Sequence, residues 1–155
     1  MGQQQLLLLV LSTVIVGLAT VAGIQAFSSN QAQASQDALV QRGTSIASDI
    51  QGIFGKPSQM GGVDKLNDVS GSDIVDRLGY QAMDSEDKVP AEGAGSGGNC
   101  VISTTSNGNN GQALITCNSG NAPQTVTVGF DPDSDPVVQT AFGSSKTNPF
   151  SGGNP

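Results

Sequence analysis

The hydrophobic and polar positions in the first third of the chain form two successive helical patterns. Residues 6–27 are apolar almost throughout and carry no charge. Their only polar members are Ser12, Thr13, Thr20 and Gln25. About 20 apolar residues in a helix span the hydrocarbon core of a bilayer. This stretch therefore predicts a helix that is hydrophobic all round and long enough to cross a membrane.

From residue 28 the apolar positions lie on one side only, at helical spacing, and no proline interrupts them before residue 54. The apolar side contains Ala34, Ala38, Leu39, Val40, Ile46, Ala47, Ile50, Ile53 and Phe54, and the polar side contains Gln36, Gln41, Arg42, Ser48, Asp49 and Gln51. Gly55 and Pro57 follow, which is typical of a helix end. We expect one continuous helix of about 50 residues, ~75 Å long. Its halves are residues 1–27 and 28–54.

The second half of the chain has the pattern of a small antiparallel sheet. Residues 100–104 and 113–117 are β-prone runs on either side of an Asn- and Gly-rich cluster at 107–111, which predicts a hairpin. A third strand is predicted at 124–130, with alternate apolar residues on one face. Val137 and Val138 indicate a further short strand. A sheet packed on the one-sided half of the helix gives an α+β fold.

The only two cysteines, Cys100 and Cys117, lie at the outer ends of this hairpin. Setting them opposite each other places Val101 against Thr116, a register that continues through the hairpin. A disulfide is therefore predicted, and closing a loop of this size stabilises by about 3 kcal/mol in the chain-entropy model. Two unrelated buried thiols are the alternative. A zinc site lacks ligands, since the chain contains no histidine.

Between the helix and the hairpin, residues 55–98 are predicted to connect the two parts. Residues 72–78 have a capping residue and apolar spacing for a short helix, and residues 91–98 have the composition of a flexible linker. Residues 99–155 form the head and tail. The tail from residue 143 is expected to dock on a neighbouring subunit or to stay loose, with Phe142 and Phe150 as its candidate anchors.

Charge excludes some classes of function. Six basic against thirteen acidic residues give a net charge of −7, without a basic cluster, so nucleic acid is not an expected partner. The first ionisable side chain is Asp37, which divides the chain into an apolar anchor and a water-facing head. Without histidine, no pairing of nucleophile and base emerges from the spacing. We expect neither an enzyme nor a cofactor.

One acidic run is a candidate metal site. Asp131, Asp133 and Asp135 alternate as in the first part of a calcium loop. The EF-hand pattern fails beyond them, because Pro136 stands where glycine is needed and Phe142 where glutamate is needed. The alternative is a solvated acidic turn.

A cleavable signal peptide fits the amino-terminal segment poorly. Residues 32–34, Ala-Gln-Ala, supply a small-residue site, but the basic start is missing and the apolar run is too long. A plain membrane anchor fits residues 6–27 but leaves the amphipathic continuation unexplained.

Residues 15–27, Ile-Val-Gly-Leu-Ala-Thr-Val-Ala-Gly-Ile-Gln-Ala-Phe, resemble the hydrophobic helix of type IV pilins and of type II secretion pseudopilins. Gly2-Gln3 resembles the site that prepilin peptidase cuts in that family, where the new amino terminus is methylated. The family's glutamate after this site is replaced by Leu7 or Leu8, depending on register, and the family's helix proline is absent. The filament-core residues that the resemblance implies are Leu6, Leu7, Leu8, Leu9, Val10, Leu11, Val14, Ile15, Gly17, Leu18, Val21, Ile24 and Phe27.

The resemblance implies a structural subunit of an extracellular helical filament. Its partners would be further copies of itself, prepilin peptidase and the pilus assembly machinery. The precursor would be held in the inner membrane before it enters a surface filament. Two alternatives remain open: a pseudopilin of a secretion system, and a monomeric, membrane-anchored extracytoplasmic binding module.

Overall fold

The structure is a computed structural model that describes residues 2–144 and 146–151. Helix α1 runs from Gly2 to Phe54, 53 residues without a break, and confirms the predicted long helix. It continues through Gly17 and Gly23, as expected from the missing proline. The helix ends where Gly55 and Pro57 predict the end.

The one-sided half of α1 packs on the rest of the chain, but its buried stripe differs from the predicted one. Ala34 is exposed, whereas Ser35 and Gly43 are buried beside the predicted Leu39 and Ile46. Gly43 is small because the helix lies close to the sheet there, where an added Cβ atom would be 2.7 Å from Val128 Cγ2. The burial of Ser35 and Gly43 is not visible as hydrophobicity.

Within the described residues, the head is a five-stranded antiparallel sheet in which neighbours in sequence are neighbours in space. Its strands are β1 (Lys88–Pro90), β2 (Asn99–Thr105), β3 (Gln112–Asn118), β4 (Thr125–Phe130) and β5 (Val138–Gly143). The predicted hairpin register is confirmed, with Cys100 opposite Cys117 and Val101 opposite Thr116. The sequence predicted three strands and a short fourth. The sheet has one strand more, β1, and the predicted short strand, β5, extends to Gly143.

A short helix, α2 (Gly71–Leu78), packs against α1 and β2. Its N-cap is Ser70, so the capping residue lies before the predicted span of residues 72–78 and not within it. The Ser70 side chain accepts a hydrogen bond from the Asp73 backbone N–H, and the Asp73 carboxylate accepts one from the Ser70 backbone N–H. The hydrogen bonds from Ser70 hold the pKa of Asp73 below its usual value. This reciprocal capping fixes the start of the helix.

Residues 91–98 are folded and do not form the predicted flexible linker. The Ala91 N–H donates to the Gly98 carbonyl at 3.0 Å, which closes the segment into a compact turn. Ala91 and Ala94 are both buried in the core. The glycines of the segment therefore serve tight turns, as the positive φ of Gly93 and Gly95 requires.

The core lies between α1, α2 and one face of the sheet. Phe54 of α1 meets Phe130 of β4 edge to face, with ring centroids 5.8 Å apart. The largest buried side chains are Phe130, Leu39, Ile46, Ile50, Leu66, Ile74, Ile102, Ile115, Val75, Val89, Val126 and Val128. They belong to all the main elements except the first half of α1 and β5, so the first half of α1 projects beyond the core.

Candidate assembly surface

The first half of α1 is a bare apolar surface. Every filament-core residue predicted above, except Gly17, has a large hydrophobic side chain that is more than half exposed. The exposed fraction is lowest at Val10, 51%, and highest at Phe27, 71%. The most apolar window of α1 has a mean hydropathy of 2.5, and none of it is buried. By length and composition, this helix can cross a membrane.

Two polar side chains of this half, Thr13 and Thr20, are satisfied within the helix. The Thr13 hydroxyl donates to the Val10 carbonyl at 2.8 Å, and the Thr20 hydroxyl donates to the Val16 carbonyl at 2.7 Å. Both hydroxyls are therefore spared the penalty that an unpaired polar group incurs in an apolar environment. The surface suits lipid or other apolar helices.

Two glycines of this half leave open space on the helix surface. A Cβ atom added at Gly17 or at Gly23 would meet nothing within 4 Å. The fold of the single chain therefore does not require glycine at either position. Small residues of this kind allow a second helix to approach closely.

The predicted processing residues lie at the very start of α1. Gly2 is its first residue and Gln3 follows within the helix, while Met1 lies outside the described residues. Cleavage between Gly2 and Gln3 stays a prediction.

The predicted disulfide is present and lies where α1 packs on the sheet. Cys100 and Cys117 are bonded across β2 and β3, with Cα atoms 3.9 Å apart, and both are fully buried. Gly43 of α1 lies above this pair, because a Cβ atom there would be 3.5 Å from the Cys117 Sγ. The bridge thus joins the two strands directly beneath the helix.

A lateral contact that the sequence did not predict holds α1 to the edge of the head. The Tyr80 hydroxyl donates to the Asp49 carboxylate, and the Arg42 guanidinium lies 4.9 Å from the centre of the Tyr80 ring. Arg42 Nε also donates to the Pro90 carbonyl at 3.2 Å. Burial, and secondly the bond to Asp49, raise the pKa of Tyr80 to about 12. The one sequence signal for this contact is that the chain's single tyrosine lies just after the end of α2.

The acidic run does not assemble into a cation site. Asp131 is buried and accepts hydrogen bonds from Gln112, Ser134 and the Asp133 N–H, at 2.7 to 2.9 Å. Asp133 instead accepts bonds from the Asn109 and Asn110 backbone N–H groups. Asp135 is exposed, and among residues 2–144 and 146–151 no three His, Cys, Asp or Glu side chains are placed to hold a metal. The carboxylates of Asp131 and Asp133 therefore bond to different partners within the head.

The two predicted tail anchors have different environments. Phe142 on β5 is 53% exposed, whereas Phe150 packs on the chain's own sheet beside Gly129. The tail is thus docked on its own head as far as Phe150. Residue 145 and residues 152–155 lie outside the described part.

No family model, curated protein or solved structure matches the chain. The long helix, the small antiparallel sheet and the disulfide are together consistent with a pilin-like fold.

Proposed function

We propose that the chain is a structural subunit of an extracellular helical filament, held together by packing of residues 6–27 from neighbouring copies. The observation that carries the proposal is the bare first half of α1, whose large apolar side chains are more than half exposed. The head cannot cover them, because its contacts with α1 begin only near Ser35.

The energy of covering this surface favours assembly in water. Fully burying one exposed Leu, Val or Ile side chain stabilises by about 2 kcal/mol, so a dozen that are little more than half exposed gain on the order of 15 kcal/mol. Association costs on the order of 10 kcal/mol in lost freedom and side-chain ordering. The difference favours packing among copies once the helix has left lipid. Inside a bilayer the same helix is already solvated, which suits storage of the monomer.

The geometry favours a filament over a closed oligomer. The projecting half of α1 is exposed all round, so one side of it can pack against a neighbouring copy while another side stays free for the next copy. Contacts between unlike surfaces of identical subunits extend into helical fibres unless the rotation closes a ring. The polar, acidic remainder of the chain, with a net charge of −7, then forms the water-facing exterior.

The remaining partners come from the resemblance. Prepilin peptidase would cut between Gly2 and Gln3, the new amino terminus would be methylated, and the assembly machinery would extract the subunit from the inner membrane. A pseudopilin would follow the same route but form a short periplasmic filament. Electron microscopy of material shed from the cell surface separates these cases, and mass spectrometry of the mature amino terminus tests the processing.

A charge within the apolar half tests the assembly directly. Val14→Glu adds a carboxylate to the surface that is proposed to be buried, whereas the control Gln31→Glu adds the same charge to an exposed position further along α1. After detergent removal we expect fibres by electron microscopy from the unmodified protein and from Gln31→Glu, but none from Val14→Glu. A dispersed, monomeric unmodified protein with residues 6–27 still attached would refute the proposal and favour the membrane-anchored module.

A further inference from the structure

Residues 146–151 cross the outer face of the sheet, the face turned away from α1. Side chains alternate between the two faces of a strand, so Leu114 points away from the core side on which Ile115 lies. Leu114 is nevertheless only 2% exposed, and Thr127 is 1% exposed. A second layer therefore covers this face, and the tail is the segment that contacts it.

The apolar part of this contact depends on a missing side chain. Gly129 of β4 lies under the tail, and a Cβ atom there would approach Pro149 Cγ to 2.7 Å and the Phe150 ring more closely still. The glycine thus leaves a recess that the Pro-Phe pair fills. Any larger residue at this position would displace the pair.

The polar part of the contact uses a buried acceptor. Asn148 Nδ2 donates to Gln112 Oε1 at 3.2 Å, and Gln112 is itself fixed by donating from Nε2 to Asp131 Oδ2 at 2.7 Å. Gln112 is only 5% exposed. At the rim, Lys146 Nζ donates to Ser103 Oγ at 2.6 Å. Ammonium, amide and aromatic contacts are thus spread along five residues, Lys146 to Phe150, as in the recognition of a short peptide.

Hydrogen bonds within the tail itself stabilise the conformation in which it binds. Asn148 Oδ1 accepts from the Phe150 N–H at 3.0 Å, and the Asn148 carbonyl accepts from the Ser151 hydroxyl at 2.7 Å. These bonds form a local turn that any copy of Asn-Pro-Phe-Ser can adopt. A ligand that is preorganised in this way loses less conformational entropy on binding.

We infer that the outer sheet face is a peptide-docking site that also accepts residues 146–151 of a second copy of this chain. Exchange replaces each contact by an identical one, so it requires little net free energy. Only residues 144 and 145 separate the segment from β5, an edge strand of the sheet, and a short connector favours exchange over refolding in place. The high local concentration of copies that drives exchange rests on the proposed filament.

Cross-linking between differently labelled full-length chains tests the exchange. The native cysteines are bonded to each other, so Ser103→Cys in one chain and Lys146→Cys in the other supply the reactive thiols. After co-assembly, a short thiol-specific cross-linker should yield a covalent dimer. The matched mixture of Ser103→Cys with Lys65→Cys, which places its thiol on another loop, should not. If the Ser103→Cys/Lys146→Cys double variant cross-links only within its own chain and the mixture yields no dimer above the Lys65 control, the inference is wrong.

A peptide experiment tests the docking site without any filament. A chain that ends at Gly143, kept in detergent, should bind labelled Lys-Thr-Asn-Pro-Phe-Ser and should bind the peptide with Phe→Ala at least about tenfold more weakly. Equal binding of the two peptides, or none, overturns the docking site even if fibres form. If the truncated chain does not fold, full-length Phe150→Ala replaces it, because its own segment lacks the ring. Failure of fibres together with selective peptide binding would reject the proposed filament and keep the docking site.

Discussion

Gly43 of α1 faces Val128 of β4 so closely that a Cβ atom at Gly43 would lie 2.7 Å from Val128 Cγ2. The absence of a side chain there sets the distance between helix and sheet above the disulfide. Glycine weakens a helix by about 1 kcal/mol relative to alanine. Glycine at position 43, inside α1, is therefore explained by close packing on the sheet and not by helix propensity.

Gly43→Ala should accordingly destabilise the head, by about 1 to 3 kcal/mol, since overpacking outweighs the gain in helix propensity. Gly52→Ala is the matched control, because Gly52 lies in the same helix with nothing within 4 Å of its added Cβ. That control should be neutral or stabilising by up to about 1 kcal/mol. Denaturant unfolding in detergent measures both. The double variant Gly43→Ala/Val128→Ala should recover part of the loss, and a Gly43→Ala variant as stable as Gly52→Ala would contradict the packing argument.

Removal of the disulfide should lower the free energy of unfolding by about 3 kcal/mol, because the bridge restricts the unfolded chain. Cys100→Ala/Cys117→Ala avoids leaving a buried hydroxyl, and reduction of the unmodified protein provides an independent comparison. Both should shift the denaturant midpoint in the same direction and by a similar amount. A double variant with an unchanged midpoint would mean that the buried strand pairing alone holds the hairpin.

The burial of Tyr80 and its bond to Asp49 have a consequence at high pH. The pKa of Tyr80 is raised to about 12 in the folded protein, from an ordinary value of 10. The stabilising contribution of the neutral phenol is thus complete below pH 10 and is lost as the pH rises through about 12. Because Tyr80 is the only tyrosine, the tyrosinate absorbance band reports it alone.

In that titration Asp49→Asn should lower the pKa of Tyr80 but leave it above 10, since burial is the larger cause. Asp37→Asn removes the same charge from an exposed site elsewhere on α1 and is the control. A midpoint near 10 in the unmodified protein would show that the phenol is solvated.

The elements whose own residues encode them were predictable from sequence. The run of apolar residues specifies the first half of α1, and the paired cysteines specify the register of β2 and β3. β1 was missed because it is three residues long, contains Pro90 and becomes a strand only by pairing Val89 with Cys100. The polar residues Gln139 and Thr140 within β5 likewise conceal its alternation.

The features missed around the candidate site depend on contacts between distant segments. Ser35 and Gly43 are buried because they are small, which a hydrophobic pattern scores as neutral. The missing side chain of Gly129 matters only because Phe150, from another part of the chain, packs into the space it leaves. The sequence pattern predicts which faces of helices and strands are apolar. It does not predict at which glycine another segment packs into the space left by the missing side chain.

The open space at Gly17 gives a test of helix packing that is separate from the stability of the head. Gly17→Leu places a branched side chain where the single chain has nothing within 4 Å, so the head should unfold at the same denaturant concentration as before. If neighbouring helices approach at this glycine, the added bulk separates them and fibre yield after detergent removal should fall at least about tenfold. Val16→Leu adds bulk at an adjacent exposed apolar position and should assemble nearly as well as the unmodified protein. Equal fibre yields from all three proteins would place the helix contact away from Gly17, and equal losses in both variants would mean that the surface tolerates no added volume at either position.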